Sequence, residues 1–227
     1  MTSFTGQLRQ DFDAIFEANY HHPFIRGVGR GELMADQLIH YVKQDYEYLN
    51  AYVRAYGLAV SKCSTREEMA YFQEKIGFIL NDETHPHRNF CEAAGVSYED
   101  LQGFRPAPAA HHYIRHMLTV AHEGTLGEIM CVLLPCPWIY WDIGERLVKE
   151  FNPQPDHPYY DWIQFYASER IASATRELCR RIDVWAEERA TTAERERMRE
   201  HFELSAQMEY MFWDMAYHVQ DWPVKLK

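Results

Sequence analysis

The sequence has few basic residues compared with its acidic ones. Its 227 residues include 23 Lys and Arg against 34 Asp and Glu, which gives a formal net charge of −11 at pH 7. A protein that binds nucleic acid has to present a basic face to the phosphate backbone. The charge balance therefore argues against nucleic acid as a partner and against a DNA-binding regulator.

Signals for export, membrane insertion and disulfide bonding are also missing. The N-terminus, Met1–Phe4, has no basic segment followed by an apolar one, and no uninterrupted apolar run approaches the ~20 residues of a membrane span. The cysteine count is odd and no Cys-x-x-Cys occurs, so we expect no disulfide framework. The five cysteines are Cys63, Cys91, Cys131, Cys136 and Cys179. These absences predict a soluble, cytoplasmic protein without a membrane partner.

No segment alternates between apolar and polar residues over the length of a strand, and no repeat or linker divides the chain. The apolar spacing predicts an all-α fold, a multi-helix bundle in a single domain, 1–227. We expect helices at 4–20, 36–62, 64–94 with a kink near Pro86, 106–123, 125–151, 159–166, 168–188 and 191–218. Capping boxes are expected at Ser64–Glu67, Thr125–Glu128 and Thr191–Glu194. We expect Gly27, Gly29 and Gly31 to form a turn, because no strand precedes them.

A single cysteine lies between two prolines, Pro135-Cys136-Pro137, inside the apolar stretch 125–151. Proline in a helix interior costs about 3 kcal/mol, since it removes a backbone donor and clashes with the carbonyl four residues back. One break of local rules in an otherwise consistent helix is typical of a functional site. Spacing alone leaves two interpretations open. Cys136 is either a nucleophile at the base of a pocket or an inert thiol in a kinked core helix.

Two carboxylates lie among aromatic residues on predicted helices. Asp45 shares a stripe with Tyr48 and Tyr52, and Glu209 begins a segment rich in rings, Glu209–Tyr217. Burial would raise the pKa of such a carboxyl group, so that it could carry a proton near neutral pH and act as an acid or base. The alternative for each is a partly exposed carboxylate on a helix face.

A metal centre in a helical bundle is a second chemical hypothesis. Di-iron bundles use acidic-x-x-His pairs from two helices, and Asp82-x-x-His85 is one loose match. His112 and His116, one turn apart, could also share an ion. No second acidic-x-x-His element completes a symmetric site, so the sequence favours the cysteine hypothesis.

Four segments, in chain order, carry a family resemblance. They are His22–Gly29, Tyr41–Tyr48, Leu133–Tyr140 and Glu209–Tyr217. Together they resemble the thiaminase II family, also called TenA-like proteins, in its cysteine-containing class. The resemblance covers nearly the whole chain and implies a fold like that of haem oxygenase, a homotetramer, and neither haem nor metal as cofactor.

The activity that the resemblance implies is hydrolysis of thiamin-derived aminopyrimidines in thiamin salvage, with cleavage of thiamin itself as a related thiaminase II activity. The substrate would be 4-amino-5-aminomethyl-2-methylpyrimidine, and the product the 5-hydroxymethyl compound. Relatives on the same fold include cofactor-building oxidases and metal-dependent oxygenases, which are the alternative function.

Residue roles also follow from the resemblance. Cys136 falls on the nucleophile, Glu209 on the acid/base, and Asp45 on the carboxylate that holds the pyrimidine amino group. The tyrosines that line the ring site are Tyr48, Tyr113, Tyr140 and Tyr166. Glu83 and His87 resemble a recurrent pair to which no role is assigned. We further expect Cys136, Glu209 and Asp45 to line one enclosed pocket.

Overall fold

The computed structural model describes residues 2–81 and 84–224, without the side chains of residues 84 and 85. Those residues contain helices and no strand, which confirms the predicted all-α class. The helices are α1 Phe4–Asp11, α2 Asp13–Tyr20, α3 Pro23–Arg30, α4 Ala35–Lys62, α5 Arg66–Asn81, α6 Thr84–Ala94, α7 Pro108–Glu123, α8 Leu126–Leu133, α9 Pro135–Phe151, α10 Tyr160–Tyr166, α11 Glu169–Glu188 and α12 Thr192–Tyr217. A 3₁₀ turn, Tyr98–Leu101, precedes α7.

All twelve of these helices contribute side chains to one apolar core. At its centre the Trp213 ring of α12 stacks on Tyr41 of α4 at 5.8 Å and on Phe24 of α3 at 5.5 Å. Large rings bury much apolar area, so this stack holds three helices together where the site is built. The expectation of one domain over 1–227 stays a prediction.

One segment predicted as a single helix, 4–20, forms two helices. Phe12, with φ −108° and ψ 17°, separates α1 from α2. The segment 64–94 contains α5 and α6 on either side of residues 82 and 83, which lie outside the described residues, so the kink expected near Pro86 stays a prediction.

The glycine segment is helical, so the predicted turn is wrong for Gly27 and Gly29. Both lie in α3, whose apolar side chains are buried. A Cβ at Gly29 would come within 2.5 Å of the Phe151 ring, so its absence lets α3 pack against the end of α9. Gly31 alone of the three has a turn conformation, with φ +73°, and ends α3.

The capping box at Thr125–Glu128 begins α8 as predicted. The box before α5 lies one residue later than predicted, at Thr65–Glu68. The box at Thr191–Glu194 is half formed. Its threonine hydroxyl accepts the glutamate N–H at 3.2 Å, but the glutamate carboxylate accepts from the Thr125 hydroxyl at 2.6 Å and so joins α12 to α8.

Helices α8 and α9 follow one helical path, since Leu134 between them has φ −61° and ψ −38°. By length and composition this path, Leu126–Phe151, is long and apolar enough to cross a membrane, although charged residues and prolines interrupt its apolar run as expected. Most of it is buried inside the protein, as in the core helix of a soluble protein. The cytoplasmic location and the lack of a membrane partner stay predictions.

Candidate active site

Cys136 lies in the first turn of α9, where the helical path continues from α8. Pro135 and Pro137 have no amide hydrogen, so the carbonyl groups four residues earlier lose their helical donors. One of these, the Leu133 carbonyl, accepts instead from the Tyr52 hydroxyl of α4 at 2.7 Å. The two prolines thus interrupt the hydrogen bonds of the helix without ending its path.

The half-buried Cys136 forms part of the wall of a cavity of about 70 Å³ between α4, α5, α9, α10 and α11. Tyr140, one turn further along α9, and Tyr166 of α10 lie on the same wall, with ring centroids 4.6 Å apart. The wall is largely apolar and aromatic. Such a wall suits a flat ring, and the thiol supplies the nucleophilic atom beside it.

Asp45 is buried behind this wall, with 5% of its surface exposed. Its Oδ2 atom contacts His87 Nε2 at 2.6 Å and accepts from the Tyr41 hydroxyl at 3.3 Å. The Tyr41 and Tyr140 hydroxyls are hydrogen-bonded to each other at 2.9 Å. Since Tyr41 donates its proton to Asp45, Tyr140 donates to Tyr41, and this chain connects the carboxylate to the cavity wall.

Glu209 of α12 is likewise buried, with 2% of its surface exposed. Burial raises the pKa of its carboxyl group to about 8, and the charge of Asp45 adds to the effect. The Tyr113 hydroxyl donates to Glu209 Oε1 at 2.7 Å, which acts in the opposite direction. A carboxyl group with this pKa is largely protonated at neutral pH and can donate a proton there.

The Tyr48 side chain lies close to Tyr113 and to Cys136. Its ring centroid is 4.8 Å from that of Tyr113, and its buried hydroxyl has no well-formed hydrogen bond among the described residues. Burial, followed by the neighbouring Cys136 sulfur, raises the pKa of Tyr48 well above 10. The hydroxyl therefore stays protonated and remains a donor.

The predicted residues are thus brought together in two layers. Cys136, Tyr140 and Tyr166 are on the cavity wall, whereas Asp45 and Glu209 lie in the buried layer behind it. The expectation that the thiol and both carboxylates line one enclosed pocket is met only for the thiol. Of the recurrent pair, His87 lies beside Asp45, and Glu83 is outside the described residues.

A family model described as the TENA/THI-4/PQQC family matches residues 9–219. The chain belongs to this family. It is 34% identical over 221 residues to an aminopyrimidine aminohydrolase of Halalkalibacterium halodurans, covering 97% of this chain and 98% of that protein. The predicted membership of the TenA-like family is therefore confirmed.

Solved structures of family members have the same fold. A TenA homologue from P. horikoshii OT3 superposes on this TENA/THI-4/PQQC chain with a TM-score of 0.85 at 26% identity, covering 95% of this chain and 99% of that one. A domain of unknown function with a haem oxygenase-like fold from Shewanella denitrificans OS217 gives 0.67 at 13% identity, covering 94% and 90%. The predicted likeness to the haem oxygenase fold is confirmed.

The metal hypothesis gains no support in this family member. Among the described residues, no group of three or more His, Cys, Asp or Glu side chains could hold an ion. His116 faces His201 of α12, with ring centroids 5.6 Å apart, and burial lowers the pKa of His116 to about 4. The segment 82–85 of the loose acidic-x-x-His match has no described side chain.

Sequence reasoning assigned no role to three side chains around this site, Tyr41, Tyr52 and His87. Tyr41 and Tyr52 were noticeable as members of the Asp45 stripe, but spacing does not reveal their hydrogen-bond partners. His87 had no pattern of its own beyond the recurrent pair. The Pro137 position does reveal that the Leu133 carbonyl lacks a helical donor, although not that Tyr52 supplies one.

Proposed function

We propose that this chain hydrolyses the thiamin-derived aminopyrimidine 4-amino-5-aminomethyl-2-methylpyrimidine to the 5-hydroxymethyl product and ammonia, as an enzyme of thiamin salvage. The name of the Halalkalibacterium halodurans relative supports the reaction class. The observation that carries the proposal is Glu209, a buried carboxyl group with a pKa of about 8 in the layer behind a cavity wall that carries a cysteine. Thiaminase II activity on thiamin is the second reaction of the proposed site.

In the proposed mechanism, Glu209 donates its proton to a ring nitrogen and makes the pyrimidine electrophilic. The Cys136 thiolate adds to the ring carbon next to the one that carries the aminomethyl group. The electrons of the new adduct expel the aminomethyl nitrogen, which enters as the protonated –NH3+ group and leaves as ammonia, and an exocyclic methylene remains. Water adds to this methylene and releases one proton to solvent, the C–S bond breaks, the thiolate leaves, and the ring nitrogen returns its proton to Glu209. General acid–base catalysis of this kind is typically worth ~10²–10⁴-fold.

Asp45 fixes the orientation of the ring in this proposal. His87 and Tyr41 both bind its Oδ2 atom, so among the described residues Oδ1 is the oxygen left for a ligand. A 4-amino group would donate to Oδ1 in a charge-assisted hydrogen bond. Tyr48, Tyr113, Tyr140 and Tyr166 would surround the ring with aromatic side chains, each pair contributing roughly 0.5–1.5 kcal/mol beyond burial.

The proposal is tested by incubating the purified protein with the aminopyrimidine and measuring the hydroxymethyl product and ammonia. We expect both to form in equal amounts without added metal. A protein that releases neither product from this substrate or from thiamin would contradict the proposal. Iron bound in stoichiometric amount would instead support the oxygenase alternative, which the name of the curated relative does not favour.

His87 is expected to control substrate affinity through Asp45. The His87→Leu substitution removes the 2.6 Å contact, so the carboxylate loses one of its two partners and its fixed orientation. We expect KM for the aminopyrimidine to rise about tenfold, with a smaller change in kcat, because ring binding depends on Asp45. His87→Gln, which keeps an N–H donor, is the matched variant and should restore most of the affinity. Equal KM values in His87→Leu and wild type would contradict this role.

The proposal also covers the oligomeric state and the cellular location of the protein. We infer a cytoplasmic homotetramer that acts on a small molecule and binds neither nucleic acid nor a membrane. The formal net charge of −11 supports the lack of a nucleic acid partner.

A further inference from the structure

The Leu133 carbonyl, close to Cys136 in the chain, lacks the donor that it would have in a regular helix. In an uninterrupted helix it would accept from the amide of residue 137, but Pro137 has no amide hydrogen. The carbonyl also lies three residues before Cys136, within the range over which a thiol or hydroxyl side chain can bond back to the backbone. Cys63 makes such a bond elsewhere in this chain, from its Sγ to the Ala59 carbonyl four residues back at 3.3 Å.

Tyr52 supplies the missing donor and so competes with the thiol for this carbonyl. Its hydroxyl is buried and donates to the Leu133 carbonyl at 2.7 Å. Burial raises the pKa of Tyr52 well above 10, so the donor stays protonated at any physiological pH. Tyr52 also lies on α4, the helix that carries Asp45 and Tyr48, so the bond ties the junction of α8 and α9 to the opposite side of the site.

We propose that Tyr52 is a positioning residue for Cys136, because its bond to the Leu133 carbonyl holds the α8–α9 junction and competes with the thiol for that carbonyl. The inference rests on the proposed nucleophilic role of Cys136. Thr175 of α11 supports the same turn from the other side, since its hydroxyl donates to the Pro137 carbonyl at 3.4 Å. The Tyr52 side chain also lines the cavity, but its hydroxyl acts on Cys136 through the backbone.

The test compares Tyr52→Phe with Tyr159→Phe. Tyr159 is a matched control, because its hydroxyl also donates to a backbone carbonyl, that of Leu33 at 3.2 Å, outside the cavity. We expect Tyr52→Phe to lower kcat about tenfold with little change in KM. We also expect it to raise the pH midpoint of Cys136 alkylation by iodoacetamide, followed by peptide mass spectrometry, by about one unit. Tyr159→Phe should change neither, whatever its effect on Tm.

The alkylation measurement keeps this inference separate from the proposed function. A wild-type protein that hydrolyses no pyrimidine would contradict the function, whereas the alkylation midpoint would still report on the thiol. Identical midpoints and kcat values in Tyr52→Phe and Tyr159→Phe would overturn the positioning role.

Restoring the backbone donor provides a second, independent test. The Pro137→Ala substitution returns an amide hydrogen to position 137, so the Leu133 carbonyl no longer depends on Tyr52. In the Pro137→Ala background, Tyr52→Phe should shift the alkylation midpoint by less than half of its effect in wild type. An equal shift in both backgrounds would overturn the proposal. If Tyr52→Phe alone fails to fold, Pro137→Ala should restore folding in the double variant, and a double variant that also fails to fold would overturn the proposal.

Discussion

Replacing Cys136 with serine is expected to lower turnover of the aminopyrimidine by roughly a thousandfold or more. A serine hydroxyl has nearly the same shape but stays protonated at neutral pH, so it cannot supply the anionic nucleophile. The effect should fall on kcat, because the rings on the cavity wall and Asp45 are unchanged. Initial rates of hydroxymethyl product formation, together with binding of the substrate by calorimetry, would separate the two parameters.

Cys63→Ser is the matched control for this prediction. Cys63 is also partly buried, but it caps the end of α4 outside the cavity, and burial raises the pKa of its thiol to about 11. We expect this variant to keep wild-type turnover. If Cys136→Ser keeps more than about a tenth of the wild-type rate, the cysteine is not the nucleophile.

Replacing Glu209 with glutamine is expected to lower kcat/KM by ~10²–10⁴-fold. The amide is similar in shape to the protonated carboxyl group but cannot donate an acidic proton to the ring. In wild type, kcat/KM should also fall as pH rises above about 8, where the Glu209 carboxyl group loses its proton. The variant should lack this alkaline decrease. A pH profile with the same decrease near 8 in both proteins would assign it to another group.

Glu209→Gln is expected to raise thermal stability at pH 8, although it lowers activity. The folded pKa of Glu209, about 8, lies above its ordinary value of 4.5, so between these pH values the folded protein binds more protons than the unfolded chain. The free energy of unfolding therefore decreases as pH rises from about 4.5 to 8, by an amount on the order of a few kcal/mol. Glu209→Gln removes this loss, so the variant should have the higher Tm at pH 8.

Glu203→Gln is the control for the stability measurement, since Glu203 is exposed on the same helix. Thermal unfolding of both variants and wild type from pH 5 to 9 gives the comparison. A Tm of Glu209→Gln that follows the wild-type pH dependence would show that Glu209 is not the group that titrates.

Most of the helices could be predicted from local patterns, because the spacing of apolar residues along a helix and the capping of its ends depend on residues three or four positions apart. The limits of these patterns are visible in α3. Gly27 and Gly29 have no apolar side chain, so the sequence predicts a turn, whereas close packing of the helix against Phe151 favours glycine. Phe12 likewise has no helix-breaking signal, although it separates α1 from α2.

The sequence by itself determined that Cys136 lies between two prolines in a core helix and that Asp45 and Glu209 lie among rings. It left open whether the cysteine is reactive and whether the carboxylates are exposed. Tertiary structure decided the burial of both carboxylates. It also decided their partners, which lie far away along the chain, with His87 42 residues from Asp45 and Tyr113 96 residues from Glu209.

The Pro135-Cys136-Pro137 segment shows the same difference between what the sequence specifies and what the tertiary structure decides. Its sequence predicts a carbonyl without a donor, because proline has no amide hydrogen. The donor itself, Tyr52, comes from 81 residues earlier in the chain. Local spacing specifies neighbours on one helix, whereas a buried hydrogen bond depends on which helices pack together, and only the folded chain fixes that.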